Sequence, residues 1–319
     1  MDLLASVESS MTSTSTNAMN LLGLSQALAD AVAQTAPSIV AFKGGRRSSA
    51  SGIHWRSGII VTTDHSLKQE DEIPVVLDNR TTTATLIGRD SGTDLAVLRL
   101  KQEPSIPVAP IHSGNEFQVG HLVLAVGRSS DMGATASLGV ISALGGAWRT
   151  WNGGQIDQFI RPDITLYAGG SGSALINLQG QVLGINTTTH HNHVLTIPAQ
   201  TVDRVIEQLL QRGRIVRGYL GVGMQPVQLP AQFQQAFNLS DTGGVLVMSV
   251  EPKSPADQAG VLIGDVVVKL GDRRVGEIQD VHQRLDPEQV GKPLQAELIR
   301  GGQLITVTIV VGERPRRTE

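Results

Sequence analysis

Tyr167-Ala-Gly-Gly-Ser-Gly-Ser-Ala-Leu175 sets a serine between glycines, directly before an apolar strand, Ala174-Leu-Ile, and a turn at Asn177-Leu-Gln-Gly180. Glycine permits backbone angles that a side chain forbids and lets another backbone approach closely. In so tight a bend, main-chain N–H groups can point into one small space, which suits a developing oxyanion. A serine held there acts as a nucleophile only if the chain also supplies a base and a group that orients the base.

Working outward from that stretch, the chain from Ile39 to about residue 200 reads as a succession of short strands. Upstream these are Ile39–Phe42, Ile59–Thr62, Ile73–Leu77, Thr83–Ile87, Leu95–Leu98, Leu122–Val126 and Ser137–Ser142; downstream they are Ser173–Ile176, Val182–Ile185 and Val194–Ile197. Many short strands at regular spacing predict a barrel or sandwich, and the length fits two barrels in one domain. A helix is predicted at about Thr201–Arg212, capped by Thr201, with Val202, Val205, Ile206, Leu209 and Leu210 as its apolar stripe and Gly213 ending it. Another is predicted after Ser25 as N-cap, with Leu28, Val32 and Ala33 on one face, ended by Pro37. The Gly44–Gly52 stretch reads as an exposed loop.

These patterns divide the chain into a Ser/Thr/Asn-rich disordered segment at 1–24, a strand-rich domain at 25–214, a compact α+β module at 215–313 and a basic tail at 314–319. The module carries predicted strands at Leu220–Val222, Val245–Ser249, Asp265–Lys269, Gln295–Ile299 and Ile305–Val310. Short helices fit at Pro255–Ala259 and about Ile278–Leu285.

Composition narrows the function classes. With 319 residues the chain can bury a large core, and with aromatics at only 3% that core must be built from Val, Ile, Leu and Ala. A net charge of -3 without a concentrated basic face argues against nucleic acid as a partner. The absence of cysteine excludes disulfides and thiol catalysis. No apolar run approaches the roughly 18–20 residues of a membrane span.

A base and an acid are both available. Val61-Thr-Thr-Asp-His65 ends a strand with a histidine at its mouth, and Gly92-Thr-Asp94 sets an acid immediately before an apolar strand. The order His65, Asp94, Ser171 is that of one well-known Ser-His-Asp triad arrangement. His190-His-Asn-His193 raises a zinc site against a hairpin tip; with no partnering acid in view, no metal or other cofactor is expected.

Larger pieces carry a resemblance. Ile60-Val-Thr-Thr-Asp-His65, Thr93–Leu98, Val119–Gly127, Gly139–Leu144, Ser171–Gly180, Gly184-Ile-Asn-Thr187, Thr196-Ile-Pro198 and Arg217-Gly-Tyr-Leu-Gly-Val222 occur in an order similar to the HtrA (Deg) family of trypsin-like serine proteases with a PDZ domain. The resemblance spans about residues 25–312. It implies a mainly β fold, with a chymotrypsin-like double β-barrel followed by a small α+β PDZ domain, and a serine endopeptidase that cuts unfolded or misfolded polypeptides. By position it implies Ser171 as nucleophile, His65 as general base, Asp94 as its orienting group, and the N–H groups of Gly169 and Ser171 as the oxyanion hole.

The same resemblance puts Thr165, six residues before Ser171, at the base of the specificity pocket, with Leu166, Leu195 and Thr196 in its walls. None is acidic, so small aliphatic residues are expected before the cut. Tyr219, Leu220, Gly221 and Val222 take the place of the PDZ loop and strand that receive a peptide's C-terminal carboxylate. A homotrimer is implied, with residues 25–42 near the contact. Where the family usually has Asn-Ser-Gly-Gly, this chain has Gly170-Ser-Gly-Ser173, so Gly170 is expected to loosen the nucleophile loop. These departures keep open an alternative, a catalytically weak or silent PDZ peptide-binding or chaperone-like protein. No Lys or Arg precedes Lys43, so the sequence as given reads as cytoplasmic, or as periplasmic if a leader is missing as in many family members.

Overall fold

The computed structural model describes residues 21–43, 49–67, 72–77, 80–101, 106–114, 116–150, 153–167, 169–188, 193–237, 243–285 and 287–314. The chain divides into two compact units, Met1–Ile215 and Val216–Glu319.

The first unit opens with helix α1, residues 21–35. It is already helical at residue 21, so Ser25 lies within it and not at its N-cap. Leu28, Ala31, Val32 and Thr35 form the face turned to the core, while Ala33 is exposed. That spacing follows the helical repeat from Leu28, which carries residue 33 round to the solvent side.

Six strands then close a barrel: β1 (Ile39–Lys43), β2 (Ser49–Arg56), β3 (Ile59–Thr63), β4 (Ile73–Leu77), β5 (Arg80–Asp90) and β6 (Leu95–Leu100), in spatial order β1-β2-β3-β6-β5-β4. Strand β2 is a correction, because its first residues belong to the stretch read as an exposed loop. Ala50 and Ser51 are buried, and a Cβ on Gly52 would stand 2.6 Å from the Phe42 ring. Small residues are what this close approach requires, and small residues are also what a loop looks like.

A second barrel follows. Its strands are β7 (Leu122–Ser129) and β8 (Gly133–Gly145); then, after a short ribbon of β9 (Trp148–Arg149) and β10 (Gln155–Ile156), β11 (Phe159–Asp163), β12 (Ala174–Ile176), β13 (Val182–Thr188) and β14 (Val194–Pro198). Their order is β11-β14-β13-β12-β7-β8. The expected double barrel is thus the observed one.

Strands alternate their side chains between two faces, and here both faces are covered. Ile60 and Leu98 point into the first barrel, whereas their neighbours Val61 and Val97 enter a shared core that also holds Leu124, Val126, Ile176 and Ile185. Val123, Leu175 and Leu183 fill the second barrel. This is why the central strands read as continuous apolar runs and not as an alternating pattern.

Helix α2 (Ala199–Arg212) seals that shared core with Val202, Val205, Ile206 and Leu209. It begins before Thr201, at an N-cap of Pro198, and Leu210 is exposed. The Thr201 hydroxyl bonds Asp157 instead of capping the helix. Gly213 ends it at φ 66, with its N–H on the Leu209 carbonyl.

In the second unit β15 (Gly218–Tyr219) pairs with β22 (Gly312–Glu313). A sheet contains β16 (Val222–Gln228), β17 (Gly243–Val250), β18 (Val266–Leu270), β20 (Pro293–Arg300) and β21 (Gln303–Val310) in that order, with β19 (Arg273–Arg274) beside β18. Helices α3 (Ala231–Ala236), α4 (Pro255–Gln258) and α5 (Ile278–Gln283) complete it. Helix α3 has no counterpart in the sequence reading. Among the described residues no helix is long and apolar enough to cross a membrane.

Candidate active site

His65 sits in a 3-10 turn, Asp64–Ser66, directly after β3. Asp94 precedes β6 with φ 58, a left-handed conformation uncommon outside glycine that recurs at functional sites. Backbone pairing of Asp64 N–H with the Asp94 carbonyl brings the two turns together. The Asp94 carboxylate then takes both donors of His65: Oδ1 accepts the backbone N–H at 3.0 Å, and Oδ2 lies 2.8 Å from ring Nδ1. Thr187 donates its hydroxyl to the same Oδ2 at 2.5 Å.

The preceding residue is also fixed. Asp64 Oδ1 accepts from Arg89 at 2.9 Å and Oδ2 from the Ser91 hydroxyl at 2.6 Å. The hydrogen bond to Asp94 holds the His65 pKa above the ordinary histidine value; partial burial opposes this, and the charges of Asp94 and Asp64 add to the rise. With Nδ1 engaged, Nε2 is the ring nitrogen left to exchange a proton.

Gly169, at φ 87, and Gly172, at φ 79, bracket the turn that carries Ser171. Gly170 is bonded and closely packed in this turn. Its N–H bonds the Tyr167 carbonyl at 2.7 Å, and a Cβ there would stand 2.7 Å from Leu166 Cβ. Gly172 N–H bonds the Asn186 carbonyl and Asn186 N–H bonds the Ser173 carbonyl, so β13 anchors the turn one residue before Thr187. Ser171 Oγ makes no hydrogen bond to His65, whose Nε2 lies 3.3 Å from Ser66 Oγ.

Of the four pocket residues named from the sequence, Thr165 is exposed, Leu166 and Leu195 are half-buried, and Thr196 is buried. Thr196 donates to Asn186 Oδ1 at 2.8 Å, and Asn186 Nδ2 donates to Ser173 Oγ at 3.0 Å. This all-buried relay joins the end of the Ser171 turn to the strand of Thr196. The His190–His193 stretch falls largely outside the described residues. Among the described residues no cluster of three or more His, Cys, Asp or Glu could hold a metal ion.

Two family models match the chain: a trypsin-like peptidase domain over residues 50–185 and a PDZ domain over residues 218–311. The serine endoprotease DegS of Salmonella typhimurium is 30% identical over 280 residues, covering 84% of this chain and 78% of that protein. This chain belongs to the HtrA/Deg family of serine proteases. A probable periplasmic DegP-like endoprotease of Rhizobium meliloti is 31% identical over 277 residues, and the chain spans 54% of its length. Among solved structures, the HtrA-type protease AlgW with a decapeptide superposes with a TM-score of 0.74 at 25% identity, over 90% of this chain and 99% of that one. The serine endoprotease from Yersinia pestis gives 0.72 at 29% identity, over 89% and 97%. The chain is a serine-type endopeptidase with a trypsin-like domain and a PDZ domain.

In the PDZ domain of this protease, Tyr219 ends β15, Leu220 and Gly221 lie between the strands, and Val222 begins β16, so of the expected strand Leu220–Val222 only Val222 is in a strand. Gly221, at φ 79, makes the break. The Leu220 and Gly221 carbonyls accept from the N–H groups of Ala256 and Glu251. A peptide group is planar, so this turns the N–H groups of Gly221 and Val222 the opposite way. The Tyr219 hydroxyl donates to the Glu251 carboxylate, and its pKa is pushed up to about 12, by burial first and then by that carboxylate. Strand β16 lies at the edge of its sheet, and Leu220, Val222 and Met224 pack with Val281 of α5 in this domain's apolar core.

Sequence reasoning passed over Ser51, Asp64, Thr187 and Asn186 as site residues. Asn186 and Thr187 lie in the Gly184-Ile-Asn-Thr187 piece that carried part of the family resemblance, and that was the available signal. Ser51 has none, since its contacts are all distant in sequence.

Proposed function

We propose that this HtrA-family protease cuts unfolded polypeptides through an acyl-enzyme formed on Ser171, with His65 as base and then acid, and Asp94 as the group that orients His65. The observation that carries this reading is the 2.8 Å contact of His65 Nδ1 with Asp94 Oδ2, beside a nucleophile turn anchored next to Thr187, which bonds the same oxygen. Asp94 holds the tautomer that leaves Nε2 free to take the Ser171 proton. The imidazolium that forms is stabilised by the adjacent carboxylate. The N–H groups of Gly169 and Ser171 receive the oxyanion as the carbonyl becomes tetrahedral. His65 then returns the proton to the leaving amine, and water repeats the sequence in reverse. Catalytic hydrogen bonds are often long until substrate binds, which accords with the unpaired Ser171 Oγ.

Thr165, Leu166, Leu195 and Thr196 offer no counter-charge to a Lys or Arg side chain, so cutting follows small aliphatic residues such as Val, Ala or Leu. The outward N–H groups of Gly221 and Val222 receive the C-terminal carboxylate of a peptide strand added to the β16 edge, alongside α5. The active form is a homotrimer, as the family resemblance implies, and it works in the periplasm, the compartment that the names of its DegP-like relatives give for them.

A fluorophosphonate probe tests the core of this reading. It labels the wild type at Ser171, and Ser171→Ala abolishes both labelling and casein cleavage. A folded wild-type chain that is not labelled, and binds peptides without cutting them, would return the protein to the silent peptide-binding reading.

A further inference from the structure

We propose that Ser51, a fully buried residue of the first barrel, is a positioning residue that holds the nucleophile turn of the second barrel in its oxyanion-binding shape. The proposal rests on the reading of Ser171 as nucleophile and of the Gly169 and Ser171 N–H groups as oxyanion donors.

Ser51 reaches the turn from both its backbone and its side chain. Its N–H donates to the Ser171 carbonyl at 2.9 Å, and its hydroxyl donates to the Gly169 carbonyl at 2.5 Å. A hydroxyl carries one proton, and the Arg128 carbonyl at 3.4 Å is the poorer acceptor, so the proton goes to Gly169. The Ser51 oxygen in turn accepts the Arg128 N–H at 2.8 Å, and the Ser51 carbonyl accepts the Thr62 hydroxyl at 2.6 Å. Ser51 is therefore itself held from both barrels, by Thr62 of β3 and Arg128 of β7.

The consequence follows from peptide planarity. Fixing the Gly169 carbonyl fixes the plane of the 169–170 peptide, and fixing the Ser171 carbonyl fixes the 171–172 plane. The peptide that carries the Ser171 N–H lies between these two. The Gly169 N–H lies just beyond the first. Within the turn the Gly170 N–H bonds the Tyr167 carbonyl and the Ser173 N–H bonds the Gly170 carbonyl. Glycine at 169, 170 and 172 leaves the backbone wide freedom, so the bonds from Ser51 add the outside anchor that fixes where its N–H groups point. The packing leaves no slack, because a Cβ on Gly172 would stand 2.0 Å from the Ser51 carbonyl oxygen.

The test is Ser51→Ala in the full chain, which removes the hydroxyl and keeps the backbone bond to Ser171. Activity is normalised to the sites that fluorophosphonate titrates. If one oxyanion donor is misplaced, kcat falls about 10²-fold, KM stays within about twofold, and a peptide boronate that forms a tetrahedral adduct on Ser171 loses affinity by a similar factor. The acid limb of the pH profile does not move, since His65 and Asp94 are untouched. A merely structural Ser51 would lower the melting temperature and the titrated fraction but leave kcat per active site and boronate affinity as in the wild type, and that result overturns the proposal. If Ser51→Ala does not fold, Ser51→Cys keeps the volume with a weak donor and is read in the same way. A wild type that is not labelled at Ser171 overturns the nucleophile reading and the clamp with it; a labelled wild type beside an unimpaired Ser51→Ala overturns the clamp alone.

Discussion

The Thr187 hydroxyl and His65 Nδ1 converge on one oxygen of Asp94, at 2.5 Å and 2.8 Å. Thr187→Val keeps the side-chain shape and removes one donor to a charged acceptor, an interaction worth about 1.5–3 kcal/mol. Asp94 is partly exposed, so the lower end applies; Thr187 fixes where the carboxylate stands, and the mispositioned His65–Asp94 pair should lower kcat about tenfold. With less of its charge satisfied by Thr187, Asp94 stabilises the imidazolium more, and the acid limb of the kcat/KM profile should move to higher pH. Steady-state kinetics from pH 5 to 9 check both effects together; a fall in kcat without movement of the limb would count against this arrangement.

The buried relay from Ser173 through Asn186 to Thr196 gives a stability prediction. Ser173→Ala leaves the Asn186 amide without its hydroxyl partner in a site closed to water. Such a loss costs about 1–3 kcal/mol. Urea titration of the protease domain should show the unfolding free energy falling by that amount, through a lower midpoint at an unchanged slope. Thr196→Val should cost a similar amount at the other end of the relay.

Two histidines respond to pH in opposite senses. His54 is buried between the Pro107 carbonyl, 2.9 Å from Nδ1, and the Gly58 N–H, which donates to Nε2 at 3.0 Å. Burial holds its pKa below the ordinary value, against hydrogen bonds to the Pro107 and Ile106 carbonyls. The unfolded chain therefore takes the proton first, and stability is lost as pH falls from about 6.5 toward the lower folded value. His65 has a raised pKa, so its contribution is present below about 6.5 and fades as pH rises through the folded value; it is more exposed, and the smaller term. Melting temperatures should fall between pH 7 and 5, and His54→Asn should flatten that slope.

Much of this was legible in the sequence, for reasons that can be located. Runs such as Ile59-Ile-Val-Thr62 and Leu95-Ala-Val-Leu98 announce strands because both their faces are buried. His65, Asp94 and Ser171 stood out because each lies where an apolar strand meets a turn. Strand β2 was missed because Ser49-Ala-Ser-Gly52 pairs small residues with a tightly packed barrel wall, which looks like a loop in one dimension. The close packing of Gly170 against Leu166 and Tyr167 was not legible either, because it depends on how the turn folds back on itself. Thr201 was taken for a cap because nothing in sequence indicates that Asp157 needs its hydroxyl.

In the PDZ domain, Asp265 is buried and bonded by Arg300 through both carboxylate oxygens, at 2.8 and 2.7 Å, and by the Leu262 N–H at 2.8 Å. Burial pushes its carboxyl up, but the bonds from Arg300 and Leu262 and the Arg300 charge bring it below its ordinary value. Arg300→Met should cost about 3 kcal/mol near pH 7, since it leaves a buried charge unpaired. The stabilisation from a depressed carboxyl pKa is present above about 3.9 and lost as pH falls through the folded value. The cost of the substitution should therefore shrink toward pH 3, as measured by chemical denaturation of wild type and variant in parallel.

The shared core between the two barrels bears on how the protease domain can come apart. Val61 and Val97 from one barrel and Val126 and Ile185 from the other lie in one apolar cluster closed by helix α2. Separating the barrels would strip the outward face of every central strand on both sides. Neither barrel is then an independent folding module, and the protease domain should melt in a single cooperative step. The proposed triad takes His65 and Asp94 from one barrel and Ser171 from the other, so heat should extinguish activity and tertiary structure at the same temperature.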